Sequence, residues 1–219
     1  HRAQLLRLRG SWPEAEIEAR QASEELEDFL SDVAAEAYYE LGEIKMLTGD
    51  LVGADNYFRQ AHELGRDPVP GLALLRLAQG RKESARALLE RALSDPYRSR
   101  LDRARLLPAQ AEVAYASSAT DTIRAAAEEL ATIAEAYGSP ALAARAAFAR
   151  GLVELGEGQP AAAAATLRRA WKLAKDSDLP YEAARTRVLL GQAYRACGNA
   201  EDAELELQAA AMSFERLGA

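Results

Sequence analysis

The chain has one cysteine, two histidines, two tryptophans and few aromatics, which make up 6% of its 219 residues. A single thiol, Cys197, excludes an internal disulfide and fits a reducing compartment, so a cytoplasmic location is expected. One internal histidine, His62, and one cysteine cannot supply a four-ligand zinc set. No metal or cofactor is expected, and His62 is read as a helix-surface or packing residue. No run of eighteen apolar residues occurs, so no segment is expected to span a membrane. Excess positive charge is also missing. The net charge is −7 and the pI near 5.1, which argues against this chain gripping nucleic acid itself. The start, His1-Arg2-Ala3-Gln4-Leu5-Leu6, has neither Met nor the apolar run of a signal peptide. It reads as the second half of a helix, and the chain as a piece of a longer one.

What the chain does have is a repeated count. Gly10, Gly49, Gly80, Gly158 and Gly198 are each followed by Ala at +5, an apolar residue at +9 and Ala at +12, as in Gly49/Ala54/Phe58/Ala61 and Gly158/Ala163/Leu167/Ala170. Successive glycines lie 39, 31, 78 and 40 residues apart. The interval of 78 is two periods of 39, so a glycine-less turn is expected near Ser118. Each count has the form of a turn and second helix of a helical hairpin. Gly suits the left-handed stop of the first helix, and Asp50 and Asn199 suit the cap of the next. Pro13, Pro140 and Pro160 fall where a first helical turn tolerates proline. The alanines permit close approach, and the +9 residue is expected to pack between neighbouring repeats.

Twelve helices follow, paired as 1–9 and 12–29, 32–48 and 51–65, 71–79 and 82–94, 97–117 and 121–137, 140–157 and 160–175, 180–197 and 200–217. The third hairpin is abbreviated, and Pro108 is expected to kink or split the first helix of the fourth. Period-two alternation of β-branched residues never persists, so no strand competes. The fold class is all-α, a right-handed α-solenoid of about six hairpins forming one domain over 1–219.

No catalytic constellation emerges, and an enzyme is not expected. Gly151 and Gly156 have P-loop spacing, but Glu157 and Gly158 stand where Lys and Ser/Thr are needed, and the stretch is helical. Carboxylate runs such as Glu24-Glu25-Glu27-Asp28 and Glu201-Asp202-Glu204-Glu206 read as solvated helix faces. Trp12 and Trp171 read as packing between helices. Cys197 stands before the Gly198 turn, where a small apolar residue fits. Arg98, Arg100, Arg103 and Arg105 read as a solvated stripe balanced by Asp95 and Asp102, with docking of an acidic neighbouring domain as the sharper alternative.

Leu41-Gly42, Gly49, Ala54, Phe58 and Ala61, and again Leu190-Gly191, Tyr194, Gly198, Ala203 and Ala210, resemble the tetratricopeptide (TPR) pattern. The period of 38–40 residues exceeds the usual 34 of that family. The longer variant resembles the helical arrays of bacterial LuxR-type transcriptional regulators, including large ATP-binding ones similar to the maltose activator. The stretches from Pro70 to Gly80, from Pro180 to Arg185 and from Phe214 to Ala219 carry that resemblance. Neither an NTPase module nor a DNA-binding domain is present, so neither activity carries over.

The resemblance implies a sensing or interaction array that binds a protein, peptide or small effector on its concave face, transcription regulation being the context. A free-standing scaffold unrelated to transcription is the alternative. The family's groove positions fall on Gln4, Arg7, Tyr39, Glu43, Glu112, Tyr115, Phe148, Gln192 and Arg195. The competing reading makes Tyr115 and Phe148 core and the charges merely solvated. Asn occurs only at 56 and 199, outside first helices, so the clamp for a C-terminal carboxylate is not expected.

Overall fold

The computed structural model describes residues 1–26 and 31–219. Among these the chain forms twelve α-helices and no strand: α1 (Arg2–Leu8), α2 (Trp12–Leu26), α3 (Ser31–Leu47), α4 (Leu51–Glu63), α5 (Gly71–Ala78), α6 (Lys82–Leu93), α7 (Arg100–Ala116), α8 (Thr120–Tyr137), α9 (Pro140–Gly156), α10 (Pro160–Asp176), α11 (Pro180–Ala196) and α12 (Ala200–Leu217). The predicted positions 27–29, with Glu27 and Asp28, lie outside the described residues. Two compact units are present: His1–Leu88 with Leu217–Ala219, and Leu89–Arg216. Consecutive helices pack on one another from α1 to α5 in the first unit and from α7 to α11 in the second, and odd-numbered helices also touch directly: α1 with α3 and α3 with α5, α7 with α9 and α9 with α11. This is the packing of a helical-repeat array, in which a hairpin buries its apolar face only against its neighbours.

The turns explain the count. Gly49 takes φ +83°, with Asp50 N–H donating to Lys45 O at 2.8 Å and Gly49 N–H to Met46 O at 3.2 Å, the paired bonds of a Schellman stop. Ser118 repeats this without glycine. Its φ is +55°, and Ala119 N–H and Ser118 N–H donate to Ala114 O (2.9 Å) and Tyr115 O (3.1 Å). The glycine-less repeat is therefore real, and its turn falls at Ser118. There Ile123 and Leu130, both buried, replace the alanines at +5 and +12. Asp50 caps α4 by accepting from Gly53 N–H at 2.8 Å, Ser99 caps α7, and Pro140, Pro160 and Pro180 open α9, α10 and α11.

The +9 residue does something other than expected. Instead of only filling the space between repeats, it seats on a glycine of its own hairpin's first helix. A Cβ at Gly42 would lie 2.6 Å from the Phe58 ring, one at Gly151 2.5 Å from Leu167, and one at Gly191 2.8 Å from Leu207. Phe58 also reaches the next hairpin, where a Cβ at Gly71 would stand 2.5 Å from its ring. Gly151 thus serves helix packing, not phosphate. α7 is also continuous through Pro108, so that proline does not split it. The bond Pro108 forfeits would have gone to Ala104, and the buried residues Ala104, Leu106, Leu107, Ala109 and Ala111 hold the helix on both sides of it.

Trp12 is buried and its indole N–H donates to Arg7 O at 3.1 Å. Trp171 is half-buried under Arg187, whose guanidinium lies 4.6 Å from the ring centroid. Cys197 is exposed at the end of α11 rather than packed as a small apolar residue, because the αL turn at Gly198 begins immediately after it. His62 is exposed on α4. No helix among the described residues is long and apolar enough to cross a membrane, and no cluster of His, Cys and carboxylates among them is arranged for a metal.

Candidate functional site

The odd-numbered helices carry the expected partner-binding residues, and most of these are joined into two networks, one in each unit. In the first unit, Arg7 on α1 donates from Nε to Glu40 Oε2 at 2.6 Å and lies 3.4 Å from Glu43 Oε2, both on α3. Tyr39, buried, donates from its hydroxyl to Glu43 Oε1 at 2.9 Å and accepts from Gly71 N–H of α5 at 3.2 Å. The Arg66 guanidinium covers the Tyr39 ring at 4.1 Å while its Nε pairs with Glu36 at 2.6 Å. Phe58 packs on the other side of Tyr39, with ring centroids 5.4 Å apart. A side chain on residue 71 would collide with Glu43 and Phe58, so the backbone N–H reaches the phenol only because that residue is glycine.

Burial works against the charge on Arg7, but Glu43 and Glu40 outweigh it and hold its pKa above the ordinary value. Burial, followed by the Glu43 charge, pushes the Tyr39 phenol well above its usual range. Arg7 and Tyr39 therefore both keep their protons near neutrality, and the network ties α1, α3 and α5 together. Gln4, also on α1, is half-buried.

In the second unit the centre is Arg185 on α11. Its Nη2 donates to Glu112 on α7, so the pair bridges two helices that flank α9. Phe148 of α9 lies 5.2 Å from the Arg185 guanidinium, and Tyr181 of α11 lies 5.8 Å from it. Burial opposes the Arg185 charge, but Glu112 overrides it and the pKa rises above its ordinary value. Arg145 of α9 pairs with Glu182 of α11 at 3.6 Å, and the Tyr181 ring meets Phe214 edge-on at 5.7 Å.

The structure thus brings Arg7, Tyr39 and Glu43 together in one cluster and Glu112 and Phe148 in another. Tyr115 and Phe148 are half-buried against the core of the second unit, and Gln192 and Arg195 are exposed on α11, outside the network. Sequence reasoning missed Glu40, Arg66, Arg145, Tyr181 and Arg185. Arg185 and Tyr181 had a signal: they stand seven and eleven residues before Gln192, on the same helical stripe. Arg66 had none, since it lies in the connection after α4. Of the four clustered arginines, Arg103 is structural. It forks onto Glu129 of α8 (Nη2 to Oε2, 2.8 Å) and donates to Leu93 O at 2.8 Å, while Arg100 and Arg105 are exposed.

Residues 35–66 match the family model described as tetratricopeptide repeat. That stretch runs from within α3 through α4, the hairpin that holds Tyr39, Glu43, Phe58 and Arg66. No curated protein matches the chain. Among solved structures, the crystal structure of BtubC (BKLC) from P. vanneervenii is similar, with a TM-score of 0.59 and 20% identity over 97% of this chain and 92% of that one. At that identity the likeness is one of fold. Hairpin geometry, Schellman turns and the matched repeat agree, and this chain is a tetratricopeptide-like helical repeat region.

Proposed function

We propose that the chain is a non-catalytic interaction domain that holds a protein or peptide partner on the faces of its odd-numbered helices. The observation that carries this reading is the arrangement of those helices. They touch each other directly within each unit and gather the arginines, carboxylates and aromatics into ordered networks, whereas the +7 and +14 positions of the even helices are uniformly exposed (Asn56, Ala125, Ala165, Leu205 and Glu63, Thr132, Lys172, Met212). Helical-repeat folds of this type are typically binding scaffolds.

The nine candidate residues divide by role in this reading. Gln4, Gln192 and Arg195 meet the partner, Tyr115 and Phe148 supply half-buried aromatic surface, and Arg7, Tyr39, Glu43 and Glu112 hold the faces in shape. A photo-crosslinking side chain placed at Gln4, Gln192 or Arg195 is expected to trap a partner in cells, and the same group at Val52 or Lys172 on outer faces is not. Equal adducts from the outer positions would refute the assignment.

The more specific reading is the sensing array of a LuxR-type transcriptional regulator, in a bacterial cytoplasm. The 38–40-residue period and the stretches at 70–80, 180–185 and 214–219 support it. It predicts that the gene continues past Ala219 into a DNA-binding helix-turn-helix domain. A stop codon there, or an unrelated domain, would overturn this reading and leave the interaction role standing as that of a free scaffold.

A further inference from the structure

In the second unit α7, α9 and α11 together carry eight basic residues, all arginine, against four carboxylates; α8 and α12 carry two against nine, and α10 four against one. In a chain with a net charge of −7, the three odd-numbered helices are therefore net positive. The pattern is absent from the first unit, where α1, α3 and α5 balance four basic against four acidic residues.

The face itself can be read from its contacts. Arg185 spans to Glu112 above Phe148, and Arg145 pairs with Glu182, so these residues share one surface across three helices. Arg105 stands two turns before Glu112 on α7 and belongs to the same stripe, as does Arg195, one turn beyond Gln192 on α11. Arg105 and Arg195 are exposed and form no ion pair among the described residues. Two solvent-facing guanidinium groups thus stand at the edges of a face whose centre is already an arginine–carboxylate–aromatic contact.

Resting on the interaction reading above, we propose that the α7–α9–α11 face binds an acidic polypeptide segment through its side-chain carboxylates. Arg105 and Arg195 receive the carboxylates, while the Arg185–Glu112 pair holds α7 and α11 in place between them. Arginine suits this work because its planar fork takes a carboxylate through two parallel hydrogen bonds and remains charged at every physiological pH. Phe148 and Tyr181 supply the apolar floor that a peptide backbone needs. Nucleic acid fits less well, because its phosphates would meet a chain whose net charge is −7.

The test is fluorescence anisotropy at physiological ionic strength with a C-terminally amidated Glu/Asp peptide containing one Tyr, its Gln/Asn counterpart, its Lys counterpart and a single-stranded oligonucleotide of equal charge. The acidic peptide is expected to bind and the other three are not. The double variant R105A/R195A, both sites exposed, is expected to weaken binding by at least roughly tenfold with an unchanged circular dichroism spectrum. K172A on the outer face of α10 is expected to leave it unchanged. Arg185→Lys, which keeps the charge and loses the fork, is expected to weaken it as well. Equal binding of the Gln/Asn peptide, an unaffected double variant, tighter binding of the oligonucleotide, or no binding of the acidic peptide would each overturn the proposal. Crosslinks at Gln192 and Arg195 to a partner that is not acidic would do so too, while leaving the general interaction role intact.

Discussion

Removing one oxygen from Tyr39 tests whether the first network is structural. Tyr39→Phe keeps the ring, so the packing against Phe58 and the Arg66 guanidinium survives. Only the hydroxyl's two hydrogen bonds disappear. Glu43 still has Arg7 at 3.4 Å, but the Gly71 N–H, at the first residue of α5, loses the acceptor that satisfies it at 3.2 Å. A buried donor left without a partner costs about 1–3 kcal/mol, whereas a hydrogen bond exchanged freely with water costs less than about 1.5 kcal/mol. For a chain of this size the larger figure lowers Tm by roughly 2–12 °C. The measurement is a urea titration followed by circular dichroism, together with amide hydrogen exchange at Gly71 and Leu72. The expected result is a lower midpoint with unchanged slope and faster exchange confined to the start of α5. An unchanged urea midpoint with unchanged Gly71 exchange would show that water replaces the phenol there, and the claim that the network staples α3 to α5 would fall.

Other perturbations separate the remaining arguments. Ser118→Gly removes a left-handed conformation from a residue with a Cβ and should stabilise by about 0.5–1 kcal/mol in the same titration; a loss of stability would mean the Ser118 side chain contributes more than its strain costs. Gly151→Ala places a methyl 2.5 Å from Leu167 and should destabilise by about 1–3 kcal/mol, with Leu167→Ala in the same chain recovering part of that; strict additivity of the two would refute the contact. The Glu16 carboxyl is held below its usual value first by the hydrogen bond from Lys45, and Glu129 by that from Arg103. Because the folded pKa is the lower one, this stabilisation is complete above the unfolded value near about 4.3 and is lost as pH falls through the folded value. Lys45→Met should therefore cost most near neutrality and progressively less below about pH 4; a pH-independent cost would contradict the assignment.

The fold was legible because its marks are local. A residue at positive φ, a small residue five positions on and another at twelve are requirements of one hairpin, and the sequence displays them at five glycines and, by interval alone, at Ser118. Apart from the predicted end of α2, which lies outside the described residues, helix ends fell within three residues of expectation for the same reason: Pro140, Pro160 and Pro180 punctuate the chain directly. The seating of Leu167 on Gly151 was overlooked, although Gly151 stands seven residues before its turn glycine, as Gly42 and Gly191 do. The candidate faces were legible only in part. Tyr39, Glu43 and Glu112 were found from position, but their partners Arg66 and Arg185 depend on how the hairpins stack. That stacking joins residues 27 and 73 positions apart, a separation at which no local pattern operates.

The same limit hid a feature that becomes visible once the hairpins are superposed by their turns. In the first unit the residue six after a turn pairs with the residue four before the next: Glu16 with Lys45 at 2.8 Å and Asp55 with Arg76 at 2.7 Å, acid first and base second. Between α8 and α9 the polarity reverses. Arg124 holds the sixth position and Glu154 the fourth before the turn, and Arg124 pairs at 2.7 Å with Glu157 one helical turn further on. Between α10 and α11 the two positions are Ala164 and Tyr194, with no charge at all. Each pair is half-exposed and contributes at most about 1 kcal/mol, so these contacts add little to stability. They distinguish one junction from the next. A hairpin transplanted from the first unit to follow α8 would set Lys45 or Arg76 against Arg124, a like-charge contact at a site where the native neighbour is acidic. Repeats that share their glycines and alanines therefore differ in these charges, which the common turn leaves free to vary.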